Sequence, residues 1–323
     1  PFPYLWPDDW VDPAQVKRPF VEFELTSNHF DTDKMFPEAV PGGDTTATAT
    51  EASSDTIPPF VMPELDGSGT FAFDTLIYSL VPFTSVTGDV RIRDDKIHCE
   101  NVTAQVYSGS VSGTTTIDLS DSESPVYSGR FDASQIQADD FVSRFSPLGG
   151  HVFGQFNMDG EYRATGWEPE EIKQSLDVGG KVVMREGKVV TSGAVYKTLS
   201  AVADKVGESF AKEQPLNNLN TRLVVEDGKV RLDDLQTSLG ELGDLELGGW
   251  YGFSGDISYD GSILLSRRWS EKLMGGGLLG DILGDSSSDR ARLPIKAGGT
   301  LDSPEFNIDW DALSKQAGEN LME

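Results

Sequence analysis

Cysteine is all but absent: Cys99 stands alone, so no intramolecular disulfide, C-x-x-C motif or thiolate metal cluster can form. A single thiol fits an oxidising compartment only when buried, and the residues around Cys99 mark a plain core position. Histidine is nearly as scarce. His29, His98 and His151 lie far apart, outside any H-x-x-x-H or H-E-x-x-H spacing, and give a zinc or nucleophile-base site no local support. Positive charge is also short, with 26 basic against 53 acidic side chains and a formal charge of -27. That balance repels phosphate backbones and excludes nucleic acid as a partner. It also opposes docking on anionic headgroups, so any lipid contact must come through tails. No stretch approaches the roughly 18 consecutive apolar residues of a membrane helix. Pro1-Phe2-Pro3-Tyr4 is neither signal peptide nor anchor and reads as the start of a piece cut from a longer chain.

Turn formers are plentiful. With 34 Gly and 17 Pro among 323 residues, and 37% apolar residues to build a core, the composition is that of an all-β protein. Residues 1–43 hold a strand through Phe20, Val21, Phe23 and Leu25 and a helical turn around Met35 and Phe36, and read as the end of a preceding β unit. Residues 44–59 turn to Thr, Ala, Ser, Glu and Pro, the composition of a flexible linker. From residue 60 to 323 short two-residue alternations break at Gly and Asp, the pattern of antiparallel strands with one buried face.

The expected fold is therefore mainly β: a large curved antiparallel sheet, an open groove or half-barrel, with a few short helices and one longer amphipathic helix. Val86, Val90 and Ile92 alternate up to a turn at Asp94-Asp95. Ile97 and Cys99 then oppose the parity of Val102, Ala104 and Val106, which predicts a β-bulge near Glu100-Asn101. Three runs, Val182–Val190, Leu223–Leu232 and Ile257–Leu264, read as hairpins turning at Glu186-Gly187, Asp227-Gly228 and Asp260-Gly261. Short helices are expected at Ala138–Phe145 and after Pro169. The long helix spans residues 194–212, with a stripe of Val195, Leu199, Val202, Ala203, Val206 and Phe210 that packs on the sheet or plugs its end.

Chemistry-bearing motifs are weak. Paired carboxylates such as Asp94-Asp95 and Asp233-Asp234 sit at turns, where Asp is a structural choice, and adjacent strand residues point to opposite faces. There is no G-x-S-x-G elbow, and Gly67-Ser68-Gly69 precedes no helix. Neither a catalytic residue, a metal nor a cofactor is expected. The unusual segment is Leu273 to Gly284, apolar yet Gly-rich. Its Leu273, Met274, Leu278, Leu279, Ile282 and Leu283 form either a mobile lip touching lipid or a long loop folded back on the core.

Three patches together resemble the C-terminal region of the AsmA family. They are Ala104-Gln105-Val106-Tyr107-Ser108-Gly109-Ser110-Val111-Ser112-Gly113, Gly187-Lys188-Val189-Val190, and the closing run from Leu293 to Phe306 with Gly299-Thr300-Leu301-Asp302-Ser303-Pro304. The resemblance covers residues 60–320 or so. It implies a bacterial envelope protein in the periplasm, tethered to the inner membrane by an anchor outside this chain. It also implies outer-membrane assembly or glycerophospholipid movement, an open curved sheet with an apolar inner face, and no catalytic residues. Phospholipid acyl chains and other envelope proteins are then the expected partners. Leu65, Phe71, Phe73, Val90, Ile92, Val182, Met184, Leu223, Val225, Ile257 and Tyr259 are the candidates for the lipid-binding inner face. In the competing reading these residues form a filled core, with the long helix in the groove.

Overall fold

The computed structural model describes residues 18–35, 65–78, 80–145, 149–205, 207–274, 284–285, 288–300 and 303–309. In chain order the elements are β1 (Phe20–Ser27), β2 (Phe30–Asp31), α1 (Thr32–Met35), β3 (Asp66–Tyr78), β4 (Val81–Arg93), β5 (Lys96–Val106) and β6 (Gly109–Asp118). There follow β7 (Val126–Gln137), α2 (Ala138–Phe145), β8 (Val152–Thr165), α3 (Pro169–Gln174), β9 (Asp177–Val190), α4 (Gly193–Lys205), β10 (Glu213–Glu226) and β11 (Lys229–Ser238). The chain continues through β12 (Gly243–Gly252), β13 (Ile257–Leu265), α5 (Arg267–Met274), β14 (Gly284–Asp285), β15 (Ser288–Gly299) and β16 (Pro304–Ile308). The linker expected at 44–59 lies outside the described residues.

The protein is mainly β, built on one large open sheet. From β3 to β13 each strand pairs with the next in sequence, β15 follows β13, and β14 and β16 pair with β15. These pairings are antiparallel. β1 and β2 instead pair with β3 in parallel, so the sheet is mixed and the strand expected at Phe20 extends this sheet at its edge. A parallel neighbour needs a long crossover, and the chain from Asn28 to Leu65 supplies the length.

Sequential pairing follows from tight turns. Asp94-Asp95, Tyr107-Ser108 and Asp227-Gly228 each close a hairpin with two residues, all in the left-handed region, as turns matched to strand twist require. The bulge falls where the parity switch puts it: the β5–β6 register slips between Cys99 and Val102, and Asn101 has φ 51°.

Two expected hairpins are single strands. Val182–Val190 runs inside β9, and Ile257–Leu264 inside β13, because both neighbours of each strand go on pairing beyond the glycine, β8 with a register shift between Met184 and Gly187. The glycine makes room instead. A β-carbon on Gly187 would lie 2.3 Å from the Met184 sulfur, and one on Gly261 would lie 2.2 Å from the Glu246 carbonyl oxygen. The same device recurs across the sheet, with the ring of Phe71 over Gly88 and that of Tyr162 over Gly129.

Gly160 shows what the device costs to break. Its added β-carbon would meet the Gly179 carbonyl oxygen at 2.4 Å and the Phe131 ring at 3.1 Å. Backbone cannot swing aside as a side chain can. Gly160→Ala is therefore expected to destabilise the fold by about 1–3 kcal/mol, read as a lower urea midpoint at unchanged slope.

The sheet is rolled. α4 leaves the chain between β9 and β10, yet Thr198 Oγ1 donates to the Phe306 carbonyl of β16 at 3.2 Å. β10 and β16 are five strand steps apart, about 24 Å on a flat sheet. That end must curl over the helix. The helices cover one end of the enclosed face: Leu199 and Ala203 of α4 share a buried cluster with Phe156, Met184 and Leu216, while Trp269 and Leu273 of α5 join it beside Ile263, Leu265 and Ala291. Phe141 of α2 meets Tyr107 and Phe156 edge-on.

The long helix is shorter than expected. α4 ends at Lys205, and Phe210 lies in the chain that follows, buried with its ring 6.0 Å from that of Tyr196 in α4. α5 occupies ground where the sequence suggests the start of a lip. Leu273 is in that helix and buried, so it is core and not lip. Met274 closes α5, and Leu278, Leu279, Ile282 and Leu283 lie outside the described residues.

Candidate functional site

Register lines up the alternate residues of successive strands into rows. One row runs Phe23, Gly69, Val90, Cys99, Thr115, Gly129, Tyr162, Val178, Val225, Val230, Tyr251 and Ile257, crossing the sheet from β1 to β13. Two residues along each of the first strands, a second row runs Val21, Gly67, Ile92, Ile97, Ile117, Tyr127 and Ala164. On the other side a third carries Phe131, Gly160, Gly180, Leu223, Leu232, Gly249, Tyr259, Ala297 and Phe306. Side chains of alternate residues share a face, so these rows form one wall. No position in them is charged.

The expected inner-face residues share the parity of this wall, with Leu65 continuing the alternation one residue before β3. Phe73, Met184 and Val225 are buried, and the other eight are partly exposed. The filled-core reading describes one end of this face only. Toward Met184 the face is filled by α4 and its neighbours; toward Val90 and Ile92 no described residue covers it fully.

Sequence reasoning does not single out Ile117, Tyr127 and Tyr162, and it marks Ile97 as a strand residue and Cys99 as a core one, yet all five are in the wall. Extending the alternation of Ile97 and Cys99 across β6 reaches Thr115 and Ile117. Burial raises the Cys99 thiol above its usual range, which keeps it protonated and unreactive. Burial likewise raises Tyr162, Tyr127 and Tyr251, and drives Tyr259 to about 12 with Tyr251 adding to it.

The opposite face is charged and paired with itself. Arg91 meets Glu100 at 3.3 Å, Arg290 meets Asp244 at 2.8 Å, and Arg292 meets Glu246 at 2.9 Å. Lys96 donates to Asp118 at 2.6 Å and, with Ser120, holds that carboxyl down to about 2. Two hollows of about 670 and 980 Å³ lie on this face, between β6 and β11, and are lined by residues such as Arg130, Glu161, Arg163, Asp177 and Lys181. They are open and bear both signs of charge, so they fit no apolar ligand.

His98 Nδ1 shares a hydrogen bond with Thr116 Oγ1 at 3.0 Å, and His151 Nδ1 lies 2.8 Å from the Val190 carbonyl. Both act as structural pins. Asp94 and Asp95 are the two turn residues between β4 and β5. Among the described residues no group of His, Cys, Asp or Glu could hold a metal ion, and no helix is long and apolar enough to cross a membrane. Comparison with known protein families, curated proteins and solved structures finds no match.

Proposed function

We propose that this chain is a non-catalytic module of a bacterial envelope protein, akin to the AsmA family's C-terminal region, that shelters lipid acyl chains on its apolar face. The carrying observation is that wall: continuous over many strands, free of charge, and only partly exposed at the end its own helices leave open. Each methylene moved out of water contributes about 0.8 kcal/mol, so a tail of 16 carbons gains roughly 12 kcal/mol before entropy costs. A tail of about 20 Å crosses four or five strands at 4.8 Å spacing. Residence in the periplasm, an inner-membrane tether and a part in outer-membrane assembly or phospholipid transport belong to the same proposal and rest on the sequence resemblance.

Native mass spectrometry of the purified protein, with organic extraction of what it carries, tests the reading. Co-purifying or loadable acyl lipid at near-stoichiometric amounts is the expected result. Its reproducible absence from folded protein overturns the proposal.

A second reading has its own observation. β1 is an edge strand on which Phe20, Val21 and Leu25 are 61%, 44% and 48% exposed, and no described residue pairs with its outer side. An edge of that kind accepts a further strand, which would make the module a scaffold for another envelope protein.

A further inference from the structure

The two borders of the sheet differ in how they are guarded. At one, β14 is two residues long and β16 five, and β16 opens with Pro304. Short strands and proline protect a free edge. At the other, β1 runs eight residues beside β3 with no register shift, and from Phe20 to Ser27 it holds neither proline nor lysine. Among the described residues its outer side has no partner, so a row of backbone donors and acceptors faces outward.

The two faces of β1 carry different chemistry. Val21, Phe23 and Leu25 lie on the side of the charge-free wall, whereas Glu22 and Glu24 are exposed on the opposite face. The charge there is unbalanced. Neither glutamate makes an ion pair with another described residue, and their neighbours on β3 are Ser68 and Thr70. One strand further in, β4 places Asp89 beyond Thr70, and beyond Ser68 it places Arg91, which already meets Glu100 at 3.3 Å.

These features select an occupant. A strand added to β1 sets its residues alternately beside the wall and beside the glutamates. Apolar residues in the first set carry the wall one strand further, and Lys or Arg in the second set meets Glu22 and Glu24 across the pair, at the Cβ separation of about 5 Å where opposite charges attract. A second copy of this chain does not meet that requirement. Antiparallel pairing of two β1 strands centred on Glu22, Phe23 or Glu24 sets Glu22 against itself, Glu22 against Glu24, or Glu24 against itself, and like charges directly opposite are destabilising.

We infer that β1 receives an extended segment of another protein in which apolar residues alternate with Lys or Arg, held by the backbone ladder and selected by Glu22 and Glu24. The inference rests on the scaffold reading above, adds to it the chemistry of the partner, and stands whether or not the wall holds lipid.

Fluorescence anisotropy with the full chain at about 0.15 M salt tests it, using three labelled peptides of about ten residues: alternating valine and lysine, alternating valine and glutamate, and the first of these methylated at every backbone nitrogen. The lysine peptide is expected to bind at least about tenfold more tightly than either of the others. Glu22→Lys with Glu24→Lys is expected to reverse the order of the lysine and glutamate peptides, although the exchange alters only a small part of the formal charge of -27. Both glutamates are exposed, so the exchange leaves folding undisturbed. Equal binding of the lysine and glutamate peptides overturns selection by charge and leaves the scaffold reading intact. Binding of the lysine peptide that neither methylation nor the charge exchange weakens is diffuse attraction to an acidic chain and overturns the inference. Self-association of the chain that the lysine peptide cannot displace assigns β1 to a second copy, with the same result. Failure of folded protein to bind any of the three overturns both the inference and the scaffold reading.

Discussion

Ile92→Asp is expected to lower lipid uptake by more than about a hundredfold, whereas Arg91→Asp, one residue away, leaves it unchanged. The two positions differ only in face. Ile92 sits between Gly67 and Ile97 in the uncharged wall; Arg91 points the other way, 3.3 Å from Glu100. A tail lying over a carboxylate must either strip its water or wait for it to take up a proton, and both cost more than the few methylenes gained there. On the charged face the same substitution removes one exposed ion pair and sets two like charges near each other, an effect below about 1 kcal/mol on stability. Ile92 is partly exposed, so its replacement need not disturb folding. Lipid recovered per mole of folded protein is the measurement. Equal losses in the two variants would overturn the proposal that lipid lies on the wall.

That contrast depends on a property the residues announce by themselves. Side chains alternate with a period of two, so Val90 and Ile92, or Leu223 and Val225, declare a common face before any partner strand is known. The bulge at Asn101 is legible for the same reason: the parity of the apolar residues changes between Cys99 and Val102, and only an extra residue restores it. Asp227-Gly228 is legible as a turn, but Asp260-Gly261 carries the same dipeptide inside β13. What separates them is not local. Gly261 is paired on both sides, and a β-carbon on it would strike Glu246 and Leu247 of β12, contacts set by strand pairing and not by the local sequence.

Other features are hidden because they belong to the roll of the sheet rather than to any strand. α5 is short and polar overall, with Trp269 and Leu273 one turn apart as its buried apolar residues, and its burial depends on β13 and β15 closing over it. The division of the inner face into a filled end and an open end is of the same kind. α4 announces an apolar stripe, but which rows it covers is decided by how far β16 curls toward it.

Ala203 measures how firmly that helix is seated. Its side chain is 0% exposed, in one cluster with Leu199, Met184 and Phe156, so there is no water for a charge placed there. Ala203→Asp is expected to destabilise the protein by about 3–5 kcal/mol at pH 7, the cost of a buried charge without a partner and a large part of a typical stability of about 5–15 kcal/mol. The loss should depend on pH in a definite direction. Burial raises the folded-state pKa of the introduced carboxyl above its unfolded value of about 3.9, so the native state holds the proton more tightly than the unfolded one. The variant therefore carries the full penalty above the raised pKa and recovers stability as pH falls from there toward about 4. Ala203→Asn, equal in size to the aspartate and uncharged, should show a smaller loss with no such recovery. Urea midpoints of the three proteins between about pH 4 and 8 decide the matter. If Ala203→Asp is as stable as the parent at pH 7, α4 rests loosely on the sheet, and the face proposed for lipid extends beneath it.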